Sequence, residues 1–170
     1  LAPELNRALT FAKNITLDVN STLDVPDLGT GSSVNITGVI SGASSITKTG
    51  AGTLLLSGAN TYTGDTVVSA GMLALTGSAS ASSGVIVNGG TLRIDAAAAV
   101  PASGLVFNGG GLQFNLGATT SLSLTQLTIN APVTIDTTGL DVTLTSPLVG
   151  NGQLNKAGTN PTPGTLTLAA

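Results

Sequence analysis

The sequence contains no cysteine, no histidine and no tryptophan, and these absences exclude whole classes of functional site. Without cysteine there is no disulfide, so stability has to come from packing. Without histidine and cysteine there is no Ser-His-Asp or Cys-His nucleophile, and no imidazole or thiolate metal site. No apolar run approaches the roughly 18 residues that a membrane-spanning helix needs.

Charged and aromatic side chains are also scarce. Charged residues make up 8% and aromatic residues 2% of the 170 residues, whereas an ordinary globular domain carries about 25% charged residues. The five Lys and Arg residues are scattered and the net charge is −3, so no basic patch could neutralise a nucleic-acid backbone. Many Val, Ile and Leu residues argue against disorder, and few aromatics require a core of small, similar aliphatic layers.

Similar segments recur at a nearly constant step along the chain. GTLLLSG begins at Gly52, GMLALTG at Gly71, GTLRIDA at Gly90 and GGLQFNL at Gly110, in steps of 19, 19 and 20 residues. Inside each segment apolar residues alternate with others, as Leu54 and Leu56 do in the first one. A period of two is typical of β-strands with one aliphatic face.

Two architectures compete to explain this pattern. The Asn-Gly pairs at Asn88 and Asn108 favour hairpins and an antiparallel meander. A fixed step favours a β-solenoid, in which equivalent residues of successive coils stack about 4.8 Å apart. We therefore predict an all-β, parallel solenoid with about 19–20 residues per coil, roughly eight coils and a length of about 40 Å. Each Asn-Gly pair would then be a corner that needs φ > 0, and Asn88 and Asn108 would stack in a ladder.

Two parts of the chain depart from the regular step. Over residues 117–146 the alternation persists but the spacing is irregular, so we expect strands in coils of unequal length. Residues 3–13 are the only predicted helix, with Pro3 in the first turn and Leu5 and Leu9 at i, i+4. We interpret this helix as a cap on the first coil, with a partner-binding helix as the alternative.

Residues 41–75, SGASSITKTGAGTLLLSGANTYTGDTVVSAGMLAL, resemble the passenger-associated transport repeat of bacterial autotransporters. The resemblance is carried by Lys48, by GAGTL from Gly50 and by LSGANTYTG from Leu56, followed by a Thr/Val strand and a Gly-x-Leu strand. Asp65 departs from the family, which usually has a small residue there.

A second, truncated copy of the repeat is predicted over residues 147–170. Its segment PLVGNGQLNKAG matches VISGASSITKTG, which pairs Lys156 with Lys48. The chain stops before the tyrosine-containing part of this copy would arrive. We therefore predict that residues 1–170 are a single β-helix segment of a longer passenger.

The resemblance implies a right-handed parallel β-helix in a protein exported across the outer membrane. In that family the repeat is associated with secretion and folding of the passenger, and it is not catalytic. The expected partners are adjoining passenger coils and a separate C-terminal translocator barrel in the parent. A host-surface or self-association partner stays open as an alternative. The expected location is extracellular, on the bacterial cell surface, anchored to the outer membrane through the parent.

Acidic residues are the candidates for chemistry, because parallel β-helices also host polysaccharide hydrolases and lyases. Asp18, Asp24 and Asp27 lie in LDVNSTLDVPDLG, and Asp136 and Asp141 lie at the two ends of a loop. A glycosidase needs two acids about 5–10 Å apart, and a calcium site at Asp24 and Asp27 would lack the usual loop pattern. We interpret all five as turn or loop residues, and we assign no catalytic, metal-binding or cofactor-binding residue and no cofactor.

Tyr62 and Arg93 are interpreted structurally. Tyr62, the only tyrosine, is expected to pack over a coil edge and fix a corner, with a partner contact as the alternative. Arg93 is expected to be a solvated, outward charge that discourages edge pairing. We predict a non-enzymatic stem of a surface-displayed passenger that presents adhesive regions. The alternatives are that the segment is itself an adhesin or self-association surface, or, less favoured, a carbohydrate-active β-helix enzyme.

Overall fold

A computed structural model describes residues 8–29, 31–77, 83–99, 103–117, 120–158 and 164–169. These residues form short β-strands and one 3₁₀ turn, Ala97–Ala99. In chain order the strands are β1 (Ala8–Phe11), β2 (Ile15–Leu17), β3 (Ser21–Asp24), β4 (Ser33–Ile36), β5 (Ile40–Gly42), β6 (Ile46–Thr49), β7 (Thr53–Leu56), β8 (Thr66–Val68), β9 (Met72–Leu75), β10 (Val85–Val87), β11 (Thr91–Ile94), β12 (Leu105–Phe107), β13 (Gly111–Phe114), β14 (Thr120–Leu122), β15 (Leu127–Ile129), β16 (Val133–Asp136), β17 (Val142–Leu144), β18 (Leu148–Val149), β19 (Leu154–Ala157) and β20 (Leu166–Leu168).

The strands stack into three faces that run along a rod. The first face has eight strands in the order β1-β4-β7-β9-β11-β13-β16-β19, and the second has seven in the order β18-β15-β12-β10-β8-β6-β3. In the third face the described residues form two groups of strands, β2-β5 and β14-β17-β20. Every pairing between the described strands is parallel. The antiparallel meander is therefore excluded, and the predicted parallel solenoid is confirmed.

The strand register reproduces the sequence repeat. In the first face Leu54 pairs with Leu73, Leu73 with Leu92, and Leu92 with Leu112, which are the predicted steps. The partner after Leu112 is Ile135, a step of 23 residues, so the irregular coils predicted over 117–146 are confirmed. With eight strands in the first face, the rod has about seven turns and a length of about 34 Å.

The core consists of columns of aliphatic side chains, one from each coil. Leu54, Leu73, Leu92 and Leu112 are each at most 2% exposed. Burying a leucine side chain contributes about 1.5–3 kcal/mol relative to leaving it exposed. Because the same gain recurs in each coil, stability accumulates along the rod through contacts between neighbouring coils.

Glycines form the corner between the second and first faces. Gly50, Gly71, Gly90 and Gly110 have φ values of 72°, 65°, 70° and 81°, a region that favours glycine. Added Cβ atoms on Gly71 and Gly90 would lie 2.4 Å from Gly50 O and 2.3 Å from Gly71 O. The dihedral angle and the close approach of the neighbouring coil thus each exclude a side chain here.

Asparagines precede two of these glycine corners and stack on one another. Asn108 Nδ2 donates to Asn88 Oδ1 at 2.8 Å, and Asn130 Nδ2 donates to Asn108 Oδ1 at 2.9 Å. The predicted ladder is therefore present and includes a third member. The predicted positive φ is present at both corners and is taken by glycine: by Gly109 and Gly110 after Asn108, and by Gly90, one residue beyond the Asn88-Gly89 pair.

The predicted N-terminal helix was wrong over its described part. Ala8–Phe11 form β1, which pairs in register with β4. Leu9 and Phe11 fit a period of two, and pairing with the next coil satisfies backbone groups that a helix would have satisfied internally. Residues 1–7 lie outside the described residues. No helix in the described part of the chain has the length and apolar character to cross a membrane.

We expect Gly71→Val to destabilise the rod strongly. It forces a β-branched residue to φ 65° and brings Cβ to 2.4 Å from Gly50 O. Backbone strain and overpacking together should lower the free energy of unfolding in urea by on the order of 3 kcal/mol. Gly117→Val is the matched control, because a Cβ there meets no atom within 4 Å, and it should change stability by less than about 0.5 kcal/mol. Equal losses in both variants would contradict the corner argument.

Candidate functional site

The middle of the region that resembles the transport repeat, residues 57–65, crosses the third face without forming a strand. Among the described residues, none between β5 and β14 forms a strand in that face. The main chain nevertheless follows the preceding coil: Thr61 N and Tyr62 N donate to Ile40 O, and Thr63 N donates to Gly42 O. Thr61 and Thr63 are exposed, whereas Tyr62 is directed into the core.

Tyr62 and Thr66 form a hydroxyl pair inside the core. Each residue is 1% exposed, and the Tyr62 hydroxyl is hydrogen-bonded to Thr66 Oγ1. Burial raises the pKa of Tyr62, and the bond to Thr66 opposes that rise. Thr66 pairs with Ile46 and Val85 in the second face, so the bond joins the third-face loop to that face. The sequence predicts Tyr62 over a coil edge; the structure instead buries the ring, because its hydroxyl finds a partner inside.

Asn60 replaces a strand contact with a side-chain contact. Its Oδ1 accepts a hydrogen bond from Ile40 N at 2.9 Å, and the residue is 3% exposed. The amide nitrogen Nδ2 of Asn60 is buried and has no partner among the described residues. The side chain thus satisfies a buried main-chain N–H where the third face supplies no strand.

Lys48 is a buried cation at the adjoining corner. The strand β6 alternates, which directs Lys48 inward beside Ile46, and Lys48 is 0% exposed. Its Nζ donates to three carbonyl oxygens: Thr49 O, Gly50 O at 2.7 Å and Ala70 O at 3.3 Å. These bonds use all three donors of an ammonium group. Because Ala70 belongs to the next coil, the ammonium joins two coils immediately before Gly71.

Burial and a nearby negative charge shift the pKa of Lys48 in opposite directions. Burial lowers the pKa of Lys48, and the negative charge of Asp24 opposes that shift. A buried charge that loses its partners costs several kcal/mol. The lysine and the geometry of the corner carbonyls therefore depend on each other.

Sequence reasoning treated Lys48 as a motif residue and missed its burial. The signal that could have found it is the alternation in ITKT, which places Lys48 on the same side as Ile46. Lys156, which the sequence pairs with Lys48, lies in β19 of the first face and is exposed. The two lysines therefore do not occupy equivalent positions in the coil. The repeat boundaries at 41–75 and 147–170 stay predictions.

The first group of predicted acidic residues lies in turns and at a strand end. Asp18 is exposed in the turn after β2. Asp24 Oδ1 accepts a hydrogen bond from Thr49 Oγ1 at 2.9 Å, in the next coil. Asp27 Oδ1 accepts from Gly29 N at 3.1 Å, two residues on, which is the turn contact expected from sequence.

The second group is engaged in structural hydrogen bonds. Asp136 accepts from Thr138 N at 2.8 Å and from Gln113 Nε2 at 3.1 Å. Asp141 Oδ1 accepts from both the N and the Oγ1 of Thr165, each at 2.8 Å, and these bonds lower the pKa of Asp141. Both carboxylates therefore help to join one coil to another.

The described surface contains a cleft of about 410 Å³. It is lined by Asp27, Gly29, Gly31, Ser32, Ala51, Gly52 and Thr53. Asp27 is the only ionisable residue in this lining, and one of its oxygens is already bonded to Gly29 N. Nowhere in the described ranges do three or more Asp, Glu, His or Cys residues lie where they could hold a metal ion.

Arg93 lies on the outer surface as predicted, but it is not simply solvated. The side chain of Arg93 is 24% exposed. Its Nε donates to Asp95 Oδ1 at 2.8 Å, and a second guanidinium nitrogen donates to Asp95 Oδ2 at 2.9 Å. Asn115 Nδ2 donates to Asp95 Oδ1 at 3.0 Å from the next coil. Because the acid lies two positions along the chain, the charge is paired locally.

Comparisons with known proteins concern the part of the chain that holds Lys48 and Tyr62. Residues 46–75 and 70–94 match the passenger-associated-transport-repeat family. A segment of 62 residues, 36% of this chain, is 42% identical to "Adhesin BmaC autotransporter" of Brucella suis biovar 1 (strain 1330) and spans 2% of that protein. No solved structure matches the chain. The resemblance stated from sequence is confirmed, and the match over 70–94 adds a coil that sequence reasoning did not assign to the repeat.

The hydroxyl pair of Tyr62 and Thr66 should be strongly coupled in a double-mutant cycle. Tyr62→Phe and Thr66→Val each leave one buried hydroxyl without its partner, so each should lower the free energy of unfolding by about 1–3 kcal/mol. The double variant removes both hydroxyls and should lose clearly less than the sum of the two. Urea unfolding of the four proteins measures this coupling. Strictly additive losses would mean that the bond contributes nothing.

The contribution of Lys48 to the free energy of unfolding should increase as the solution is made alkaline. Its pKa is lower in the folded than in the unfolded chain, so the folded chain binds fewer protons in a pH window below 10.5. Stability rises with pH wherever the unfolded state binds more protons. The free energy of unfolding of the natural chain, relative to Lys48→Met, should therefore increase as pH rises through that window. Lys13→Met, at an exposed lysine, is the control for removing one positive charge from the chain. A flat difference for Lys48→Met would refute the argument.

Proposed function

We propose that this chain, which carries the transport repeat of autotransporter passengers, is a non-enzymatic β-helix stem that supports folding and secretion of its parent passenger. The observation that carries the proposal is the set of buried polar contacts inside residues 46–94, where Lys48, Tyr62 and Thr66 join neighbouring faces and coils. The stem would also present adhesive regions of the parent away from the cell.

The buried polar contacts give the repeat a single stacking register. Aliphatic layers such as Leu54 and Leu73 are similar from coil to coil, so a shift by one coil changes their packing little. A buried ammonium or hydroxyl tolerates no such shift, because it would lose its partners. We therefore infer that residues 46–94 fold early in a defined register and serve as a template on which neighbouring coils stack.

Early folding outside the cell would support secretion. A folded coil cannot return through a channel that admits only the unfolded chain, so folding of the repeat would oppose back-sliding. In this proposal the partners are the adjoining passenger coils and a C-terminal translocator of the parent. The location is the bacterial cell surface, through outer-membrane anchoring of the parent.

The arrangement of the acidic residues supports a role without catalysis. Asp27, Asp136 and Asp141 accept hydrogen bonds from the main chain or side chains beside them. The 410 Å³ cleft is lined by one acid and no base. A glycosidase would need a second acid across such a cleft.

A second candidate function is that the segment itself binds a partner. The observation that favours it is the likeness to a protein named as an adhesin, although the matched segment is 2% of that protein. Exposed side chains such as those of Asn88 and Asn108 would then contact a host surface, a glycan or another copy of the chain.

Substitutions in the complete parent protein separate these functions. Gly71→Val disturbs a corner within residues 46–94, and we expect a large loss of folded passenger on the cell surface, with adhesion per displayed molecule unchanged. Gly104→Val is a matched lesion outside the repeat, with φ 111° and a Cβ 2.7 Å from Gln126 O. It should reduce display less, if residues 46–94 are the template. Surface immunolabelling measures display, and cell-binding assays measure adhesion.

Gly117→Val again controls for the substitution itself. Equal loss of display for Gly71→Val and Gly104→Val would contradict the template role. Normal display with lost adhesion in Gly71→Val would favour the binding function and overturn the stem as the main role of this segment.

A further inference from the structure

Three asparagines in this chain are followed directly by glycine. They are Asn88, Asn108 and Asn151, and strand register places them in one column with Asn130 at the corner after the second face. An Asn-Gly pair is chemically labile, because glycine has no side chain to hinder attack of its main-chain nitrogen on the asparagine amide carbon. The column therefore combines a structural ladder with reactive dipeptides.

We propose that Asn88 and Asn108 are latent deamidation sites which the asparagine ladder holds unreactive, whereas Asn151 is left to react. In the reaction the glycine nitrogen loses its proton to solvent and attacks Cγ of the asparagine. A C–N bond forms, the Cγ–Nδ2 bond breaks, and the nitrogen leaves as ammonia. Water then opens the succinimide at either carbonyl to give aspartate or isoaspartate. No oxidant or reductant takes part.

The ladder fixes both ends of the Asn108 amide. Its Nδ2 donates to Asn88 Oδ1 at 2.8 Å, and its Oδ1 accepts from Asn130 Nδ2 at 2.9 Å. Turning Cγ toward the nitrogen of Gly109 would break both bonds. At Asn88 one side-chain bond holds the amide, and Gly89 N is itself engaged with Val68 O at 3.3 Å.

Asn151 offers a comparison within the same chain. It is exposed, and in the described part of the chain its side chain makes no hydrogen bond, although the column continues to it. Its neighbour Gly152 donates its N–H to Ile129 O at 2.8 Å, as Gly89 does to Val68 O. Asn88 and Asn151 thus share the main-chain bond of the following glycine and differ in the bonds of the asparagine side chain.

Deamidation would change the chemistry of the column. An aspartate at position 108 could not donate to Asn88 Oδ1 and would add a negative charge to a neutral row of amides. An isoaspartate would in addition lengthen the main chain at a corner where Asn108 N donates to Val87 O at 2.8 Å. Chains that remain unfolded would accumulate this change, and folded chains would resist it.

Peptide mapping by mass spectrometry tests the proposal on the whole chain. The folded protein is incubated at mildly alkaline pH, beside the same protein in denaturant, and deamidation is followed at the three sites. In the folded protein, Asn108 should react about tenfold or more slowly than Asn151, because two hydrogen bonds must break first. In denaturant the three rates should converge. Equal rates at Asn108 and Asn151 in the folded protein would overturn the proposal.

Variants separate the ladder from local opening of the last coil. Asn130→Ala removes the donor to Asn108 Oδ1, and Asn88→Ser removes the acceptor for Asn108 Nδ2. Each should speed deamidation at Asn108 several-fold while circular dichroism stays unchanged. Asn115→Ala is the control, because this exposed asparagine bonds to Asp95 outside the ladder. If the rate at Asn108 is the same in both folded ladder variants as in the control, the ladder does not protect it and the proposal fails.

Discussion

Parallel main-chain hydrogen bonding between successive coils is the interaction on which the rest of this rod depends. It brings equivalent positions to about 4.8 Å from one another. The side chain at each position must therefore be compatible in size and polarity with its counterpart in the next coil. At the corner before the first face this leaves no room for a side chain, as Gly71 and Gly90 show. Along the strands and their ends it stacks identical side chains on one another. Leucines pack well in this way in the interior, and asparagines form hydrogen bonds in this way at the surface.

Polar residues in the core distinguish coils whose aliphatic layers are otherwise nearly alike. Stacked aliphatic layers are nearly interchangeable, whereas the Tyr62 hydroxyl and the Lys48 ammonium each have partners at only one place. Burying such groups adds little net stability, and the benefit that we propose for it is specificity of register. The transport repeat thus combines a very regular backbone with an irregular set of buried contacts. The third face, which has no strand at this point, is where the tyrosine ring enters the core.

Much of the fold could be predicted because each type of regular structure imposes its own repeat length on the sequence. Alternation predicts strands, a step of 19–20 residues predicts coils, and the Asn-Gly spacing predicted the ladder at Asn88 and Asn108. The failures share another cause. Leu9 fits a helix and a strand equally well until its partner strand β4 is known. The burial of Lys48 depends on carbonyl positions in two coils, and similarity to the segment around Lys156 does not reveal which face each segment occupies. Local pattern predicts the elements, but not which distant groups meet inside them.

The near absence of charge has a consequence for the medium in which the rod works. Arg93 and Asp95 form a short, local ion pair, and the remaining charged residues are few in a chain with 8% of them. Dissolved salt acts mainly on interactions between exposed charges, which it screens over about 10 Å at 0.1 M ionic strength. Apolar layers and main-chain ladders offer it little to screen. The rod should therefore keep its shape from dilute to saline surroundings.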